Sequence, residues 1–185
     1  MEVRRYHGLR TPRDFVVCGG ASSHQYGLTT TGSQASAVWP TAKLVFYYPF
    51  RVPHPGMVVE GLWWNNGATA SGNIDAGIYS AGPGGPQQKL CSTGSTAQGT
   101  ISVRQDVDIT DYLLGGGNFY FALTVDNTTA TLSRAQIAAA IWPNNLLGIL
   151  EETTGSFGLP AVATPVTAAA LNFMVFCGIL GSAIR

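Results

Sequence analysis

Ile101, Val103, Val107 and Ile109 fall on one side of an extended chain, with Ser102, Arg104, Asp106 and Asp108 on the other. Side chains of a strand alternate between two faces, so a one-residue slip would expose the whole apolar set. The register of this stretch is therefore strongly specified. The same alternation returns in Phe119, Phe121, Leu123 and Val125, set against Tyr120, Ala122 and Thr124. Gly115-Gly116-Gly117-Asn118 reads as a tight connection leading into that second run.

Further strands are spelled out in the same way. Leu44, Phe46, Tyr48 and Phe50 share one face, and Pro49, which donates no ladder hydrogen bond, predicts an edge or an end there. Pro53 and Pro55 then force a turn. Met57 to Trp64 is apolar on both faces apart from Glu60 and closes at Asn65-Asn66-Gly67. Ile74, Ala76 and Ile78 alternate with Asp75 and Gly77, and Lys89 to Ser92 forms another short strand. Asn172 to Ile179 is apolar on both faces, as a central strand between two layers would be.

Short strands separated by turn signals every roughly 8–12 residues predict an all-β fold, an antiparallel jelly-roll-like β-sandwich. Strand–helix alternation of the parallel α/β kind is missing. The single helical expectation covers residues 134–142, with Ser133 as a cap and Ile137 and Ile141 on one face. The 185 residues suit one domain, expected over 41–185, preceded by an extended assembly arm over 1–40.

That arm carries Arg4, Arg5, Arg10 and Arg13 against Glu2 and Asp14, followed by a turn-rich run, 19–37, of no sustained period. Alone it buries too little apolar surface to order itself. Nucleic-acid binding would want a net basic domain, whereas ten Lys and Arg here balance ten Asp and Glu. Bidentate pairing of the arginines with acidic patches on a neighbouring subunit fits better. Only 11% of residues are charged, which favours a protein held against its neighbours, with homo-oligomers expected.

Groups for catalysis are sparse. Nucleophile-elbow, phosphate-loop and dinucleotide motifs are absent from the sequence, and His7, His24 and His54 occupy separate irregular segments. Asp106, Asp108 and Asp111 are the best candidates for holding an ion, but their spacing departs from an EF-hand loop and a solvated strand face beside a turn needs no ion, so no metal is expected. No cofactor is expected. Cys18, Cys91 and Cys177 form neither a disulfide framework nor a zinc knuckle, and read as small buried hydrophobes. Asn127-Thr128-Thr129 matches a glycosylation sequon within what otherwise reads as a turn. Phe15 to Cys18 is too short for the core of a secretory signal. Residues 166–184 are long enough to test as a membrane span, but Thr167, Asn172 and Ser182 favour a buried strand, so no membrane partner is expected.

The aromatic candidates for an interface are Trp39, Trp63, Trp64, Tyr79 and Tyr120. Trp63 and Trp64 point to opposite faces, and Tyr79 and Tyr120 alternate away from the core face. Exposed rings could anchor a subunit or stack on a sugar; covering by neighbouring loops is the alternative.

Four segments carry a resemblance: ATASGNIDAGIYSAGP at 68–83, KLCSTGST at 89–96, VDITDYLLGGGNFYFALTVDNTTATL at 107–132 and GSFGLPAVATPVTAAALNFMVFCGI at 155–179. Together they resemble small β-sandwich structural proteins of tailed-bacteriophage virions. The resemblance spans most of 44–179 and leaves the arm unmatched. It implies a virion component of the tail, fibre or capsid-decoration (cement) type, with other virion proteins as partners, and it transfers no active-site residue. A receptor- or host-glycan-binding module of a fibre or baseplate is the alternative. A glycan-degrading enzyme would need paired carboxylates, and Glu60, Glu151 and Glu152 lie in no recognisable motif.

Overall fold

The computed structural model describes residues 13–18, 35–135, 148–164, 167–168 and 174–184. Among the described residues twelve strands follow one another: β1 (Arg13–Cys18), β2 (Ala35–Val38), β3 (Leu44–Asn65), β4 (Asn73–Gly82), β5 (Gly85–Ser92), β6 (Thr96–Ala97), β7 (Arg104–Val125), β8 (Thr131–Ala135), β9 (Leu150–Thr153), β10 (Thr167–Ala168), β11 (Met174–Val175) and β12 (Cys177–Ala183). The fold is all-β and its ladders are antiparallel; no helix occurs among the described residues. The larger sheet runs β1-β12-β3-β7-β4-β5, with β9 also on β3, β10 on β9 and β6 on β4; β11-β8-β2 form a smaller one. Arg134 and Ala135, expected to open a helix, are strand and pair with β11; 136–142 lie outside the described residues.

Everything is organised by β3 and β7, each 22 residues long and paired nearly end to end. Two irregularities divide this ribbon. Between Val52 and Gly56, the residues Pro53, His54 and Pro55 stand opposite Gly116 alone. Between Val59 and Gly61, Glu60 stands opposite Ile109, Thr110 and Asp111. A bulge bends its strand and shifts which residues face the core. The core-facing set on β3 is accordingly Leu44, Phe46, Tyr48, Phe50 and Val52, then Met57 and Val59, then Leu62 and Trp64. On β7 it is Val107 and Ile109, then Tyr112 and Leu114, then Phe119, Phe121, Leu123 and Val125. Both halves of the ribbon thus turn their apolar faces onto one core, joined by Ile74, Ala76 and Ile78 of β4 and by Cys177 and Ile179 of β12.

Three expectations change. The strand that carries Val107 and Ile109 begins only at Arg104; Ile101 and Val103 are 49% and 46% exposed. The chain bends before Arg104, with Ser102 in the left-handed region, because Val103 O accepts from Asn66 N and Ser102 N donates to Gly67 O. Gly115 to Gly117 are no connection but the middle of β7, where the His54 ring lies on Gly116: a Cβ there would come within 2.7 Å of His54 Cγ. Pro49 lies within a long strand, yet at a local edge, since the β9 ladder stops at Tyr47 and the β12 ladder starts at Met57.

Backbone pairing also reaches into the expected arm. β1 pairs with β12, β2 pairs with β8, and Trp39 is wholly buried, donating its indole N–H to Leu44 O and meeting Phe46 edge-on. Strands on both sides of residue 40 are therefore paired with one another. Of the closing segment, 167–168, 174–175 and 177–183 are strand, β12 lies between β1 and β3, and no helix among the described residues is long and apolar enough to cross a membrane.

Gly56 sits at φ 139 with its α-carbon against Leu114 O, where a Cβ would approach to 2.3 Å. Gly56→Ala should lower stability by about 3 kcal/mol through backbone strain and displacement of β7. Urea unfolding of the two proteins measures this, and an unchanged midpoint would refute the role given to the bulge.

Candidate functional site

A collection of buried titratable groups lies on the face of the sheet opposite the main core. Val45 and Tyr47 of β3, Tyr79 of β4 and Ala122 of β7 form a second apolar cluster there, roofed by Leu159 and Ala163. One cross-sheet row places Glu152 beside Val45, Thr124 and then Asp75. The carboxylates therefore stand at the two ends of a row, on strands three spacings apart, about 14 Å.

Both carboxylates are buried, and both hold down residues 154–164, a strap that crosses this face. Glu152 accepts from the Tyr47 hydroxyl at 2.7 Å, from the Thr164 hydroxyl at 2.8 Å and from Thr164 N at 3.1 Å. Asp75 Oδ2 accepts from Leu159 N at 2.9 Å. Lys89 Nζ donates to Leu159 O at 2.8 Å, and the Tyr79 hydroxyl donates to Pro160 O. The Tyr47 and Tyr79 rings meet edge to face, 5.2 Å between centroids. The strap also pairs with β5: Lys89 N donates to Ala161 O and Ala163 N to Gln87 O.

Burial raises the Asp75 carboxyl above the usual carboxylate range, against the opposing pull of the Leu159 N–H and the Lys89 charge. Burial likewise pushes both tyrosine hydroxyls far up, Tyr47 further through its bond to Glu152 and Tyr79 further through the charge of Asp75. These phenols remain protonated donors at physiological pH. Cys91 behaves similarly, its thiol pushed up to about 11 by burial.

A second polar node is centred on Asn66, which is completely buried. Its Oδ1 accepts from Trp64 Nε1 and Gln98 Nε2, and its Nδ2 donates to Thr100 O and Gln105 Oε1. Each polar atom of the side chain is matched, and the loop between β6 and β7 is thereby fastened to the end of β3. At the turn after β7, Asn127 Oδ1 accepts from the Thr129 and Ala130 N–H groups while its amide donates to Ser71 O and Asp126 Oδ1. The sequon asparagine is thus committed to holding its own turn.

Of the residues named from sequence, Trp39, Trp64 and Tyr79 are wholly buried inside the chain, the first two in the main core and Tyr79 under the 154–164 strap. Trp63 is 5% exposed, its ring under the Arg104 guanidinium, 4.5 Å from the ring centroid, and Arg104 also pairs with Asp106. Tyr120 is half-buried beside the second cluster. Arg13 opens β1 opposite Gly181; Arg4, Arg5 and Arg10 lie outside the described residues. Asp106, Asp108 and Asp111 are exposed on β7, and no metal-binding group of His, Cys, Asp or Glu occurs among the described residues. Sequence reasoning passed over Asp75, Glu152, Tyr47 and Asn66. A signal existed for Tyr47: Val45 and Tyr47 make the other face of their strand apolar too, which calls for a second covering layer.

Searches with this chain against protein-family models, curated proteins and solved structures found no match.

Two substitutions test the energetics of this face. Because Asp75 has a raised pKa in the fold, its ionisation opposes folding at neutral pH, and that penalty fades as pH falls toward the ordinary carboxylate value. Asp75→Asn should therefore be more stable than the parent at neutral pH, with the gap closing near about pH 4; a pH-independent difference in denaturant midpoint would contradict the assignment. The buried Thr124 Oγ1 has no hydrogen-bond partner among the described residues. Thr124→Val, of nearly the same shape, should raise stability by about 1 kcal/mol, read from thermal or urea unfolding.

Proposed function

We propose that this chain is a non-enzymatic structural protein of a tailed-phage virion, a capsid-decoration or tail-associated subunit built as a jelly-roll-like β-sandwich. In this reading its arm and its sandwich surfaces hold it to neighbouring subunits. The observation that carries the proposal is the use made of buried polar groups. Asp75, Glu152 and Asn66 each make at least one hydrogen bond to a strap or loop of the same chain, and Glu152 and Asn66 also bond to the strands beside them. Such cross-ties favour a rigid block, and fully matched buried networks specify one packing. A neutral chain with 11% charged residues supports a protein that spends its time packed against others. The resemblance of residues 44–179 to virion β-proteins supplies the setting.

The glycan-binding alternative loses ground with the burial of Trp39, Trp64 and Tyr79, which leaves the half-buried Tyr120 as its most accessible candidate ring. Quantitative mass spectrometry of gradient-purified phage particles from a lysate containing the chain should find it in fixed ratio to a major capsid or tail protein. Recovery only in the particle-free fraction overturns the proposal. Selective binding of the full chain on a glycan array, lost in Tyr120→Ala, would favour the alternative.

A further inference from the structure

From Arg104 to Asn118, β7 has a single ladder among the described residues, to β3; its ladder to β4 begins only at Phe119. Among the described residues no strand pairs with the outward backbone groups of this stretch, and such an edge is a template for an added strand. Five large hydrophobic side chains are exposed among the described residues, and three of them, Ile101, Val103 and Leu113, lie on this edge or just before it. The edge is also acidic: Arg104 against Asp106, Asp108 and Asp111 leaves a formal charge of −2 over 104–115. Asp106 is engaged by Arg104, while Asp108 and Asp111 stand exposed with no ion pair among the described residues.

We propose that this edge of β7 receives residues 1–12 of a second copy of the chain, added as a strand. The inference rests on the assembly role given above and names its acceptor surface. Charge complementarity selects the occupant: in residues 1–12, Arg4, Arg5 and Arg10 against Glu2 give a formal charge of +2, with Val3, Tyr6 and Leu9 interspersed. Extended, Arg4 to Arg10 span about 20 Å and Asp106 to Asp111 about 17 Å, so one run of cations fits one run of carboxylates. The chain's own segment is poorly placed for this. β1 begins at Arg13 on the far side of β12 and β3, so a strand beyond β7 lies four spacings away, about 19 Å. Three residues from Arg13 back to Arg10 span at most about 11 Å. A donor from another molecule meets no such restriction, and the contact is head to tail.

Sedimentation of the full chain tests this with a charge swap. The wild type should self-associate with concentration, less so as salt rises. An arm variant (Arg4→Glu, Arg5→Glu, Arg10→Glu) and an edge variant (Asp108→Lys, Asp111→Lys) should each associate at least about tenfold more weakly. Mixing the two restores complementary charges at both contacts and should restore association. A monomeric wild type, an edge variant that associates like the wild type, or a mixture no better than its components overturns the inference. A chain lacking residues 1–12 separates the two levels of the argument. If that deletion abolishes association and particle incorporation while the edge variant keeps both, the arm docks elsewhere and only the β7 edge is wrong. If the deletion keeps both, the assembly role of the arm falls as well.

Discussion

The backbone hydrogen-bond ladder between β3 and β7 is the constraint on which the rest of the structure depends. Two strands of this length would make a flat, twisted ribbon with one dry face and one wet one. The Pro53–Pro55 bulge against Gly116, and the Glu60 irregularity beyond it, reset the alternation twice. Without those resets, Met57 and Val59 would face away from the side that carries Phe46 and Tyr48, and no common core would form. Local sterics at a few residues, proline lacking a donor and glycine lacking a Cβ, therefore decide the global arrangement.

Around that frame the polar groups divide by location. On the buried side of the first half of the ribbon they tie the 154–164 strap down, and at the end of β3 they tie down a loop. On the second half, exposed carboxylates stand along an edge that no strand pairs among the described residues. Acidic residues of similar sequence appearance, Asp75 and Asp108, thus hold opposite positions. Each sits at a strand position whose neighbours alternate with it, and only the presence or absence of a covering strap distinguishes them.

That contrast marks what was legible in the sequence. Phe119 to Val125, Leu44 to Phe50 and Ile74 to Ile78 follow a clean period of two, and each set faces the core as its alternation says. The run from Ile101 to Ile109 keeps the same parity throughout, yet its first members are bent out by hydrogen bonds to Asn66 and Gly67, partners more than thirty positions earlier in the chain. The three glycines at 115–117 look like a turn because glycine permits one, but their role is set by His54 across the ladder. Burial of Trp39, Trp64, Asp75 and Glu152 depends in the same way on which distant segment arrives to cover them. Periodicity reports one strand and its own two faces; bulges, straps and matched polar nodes are properties of pairs of segments.

The continuity of β3 and β7 through both halves of the ribbon has a mechanical side. In a stack of separate sheets, a pulling or shearing load passes between layers only through side-chain contacts, which slide. Here the load passes from one half to the other along two covalent chains, each stiffened by its ladder to the other. Tension along either half is therefore carried by the backbones of β3 and β7 rather than by side-chain contacts alone.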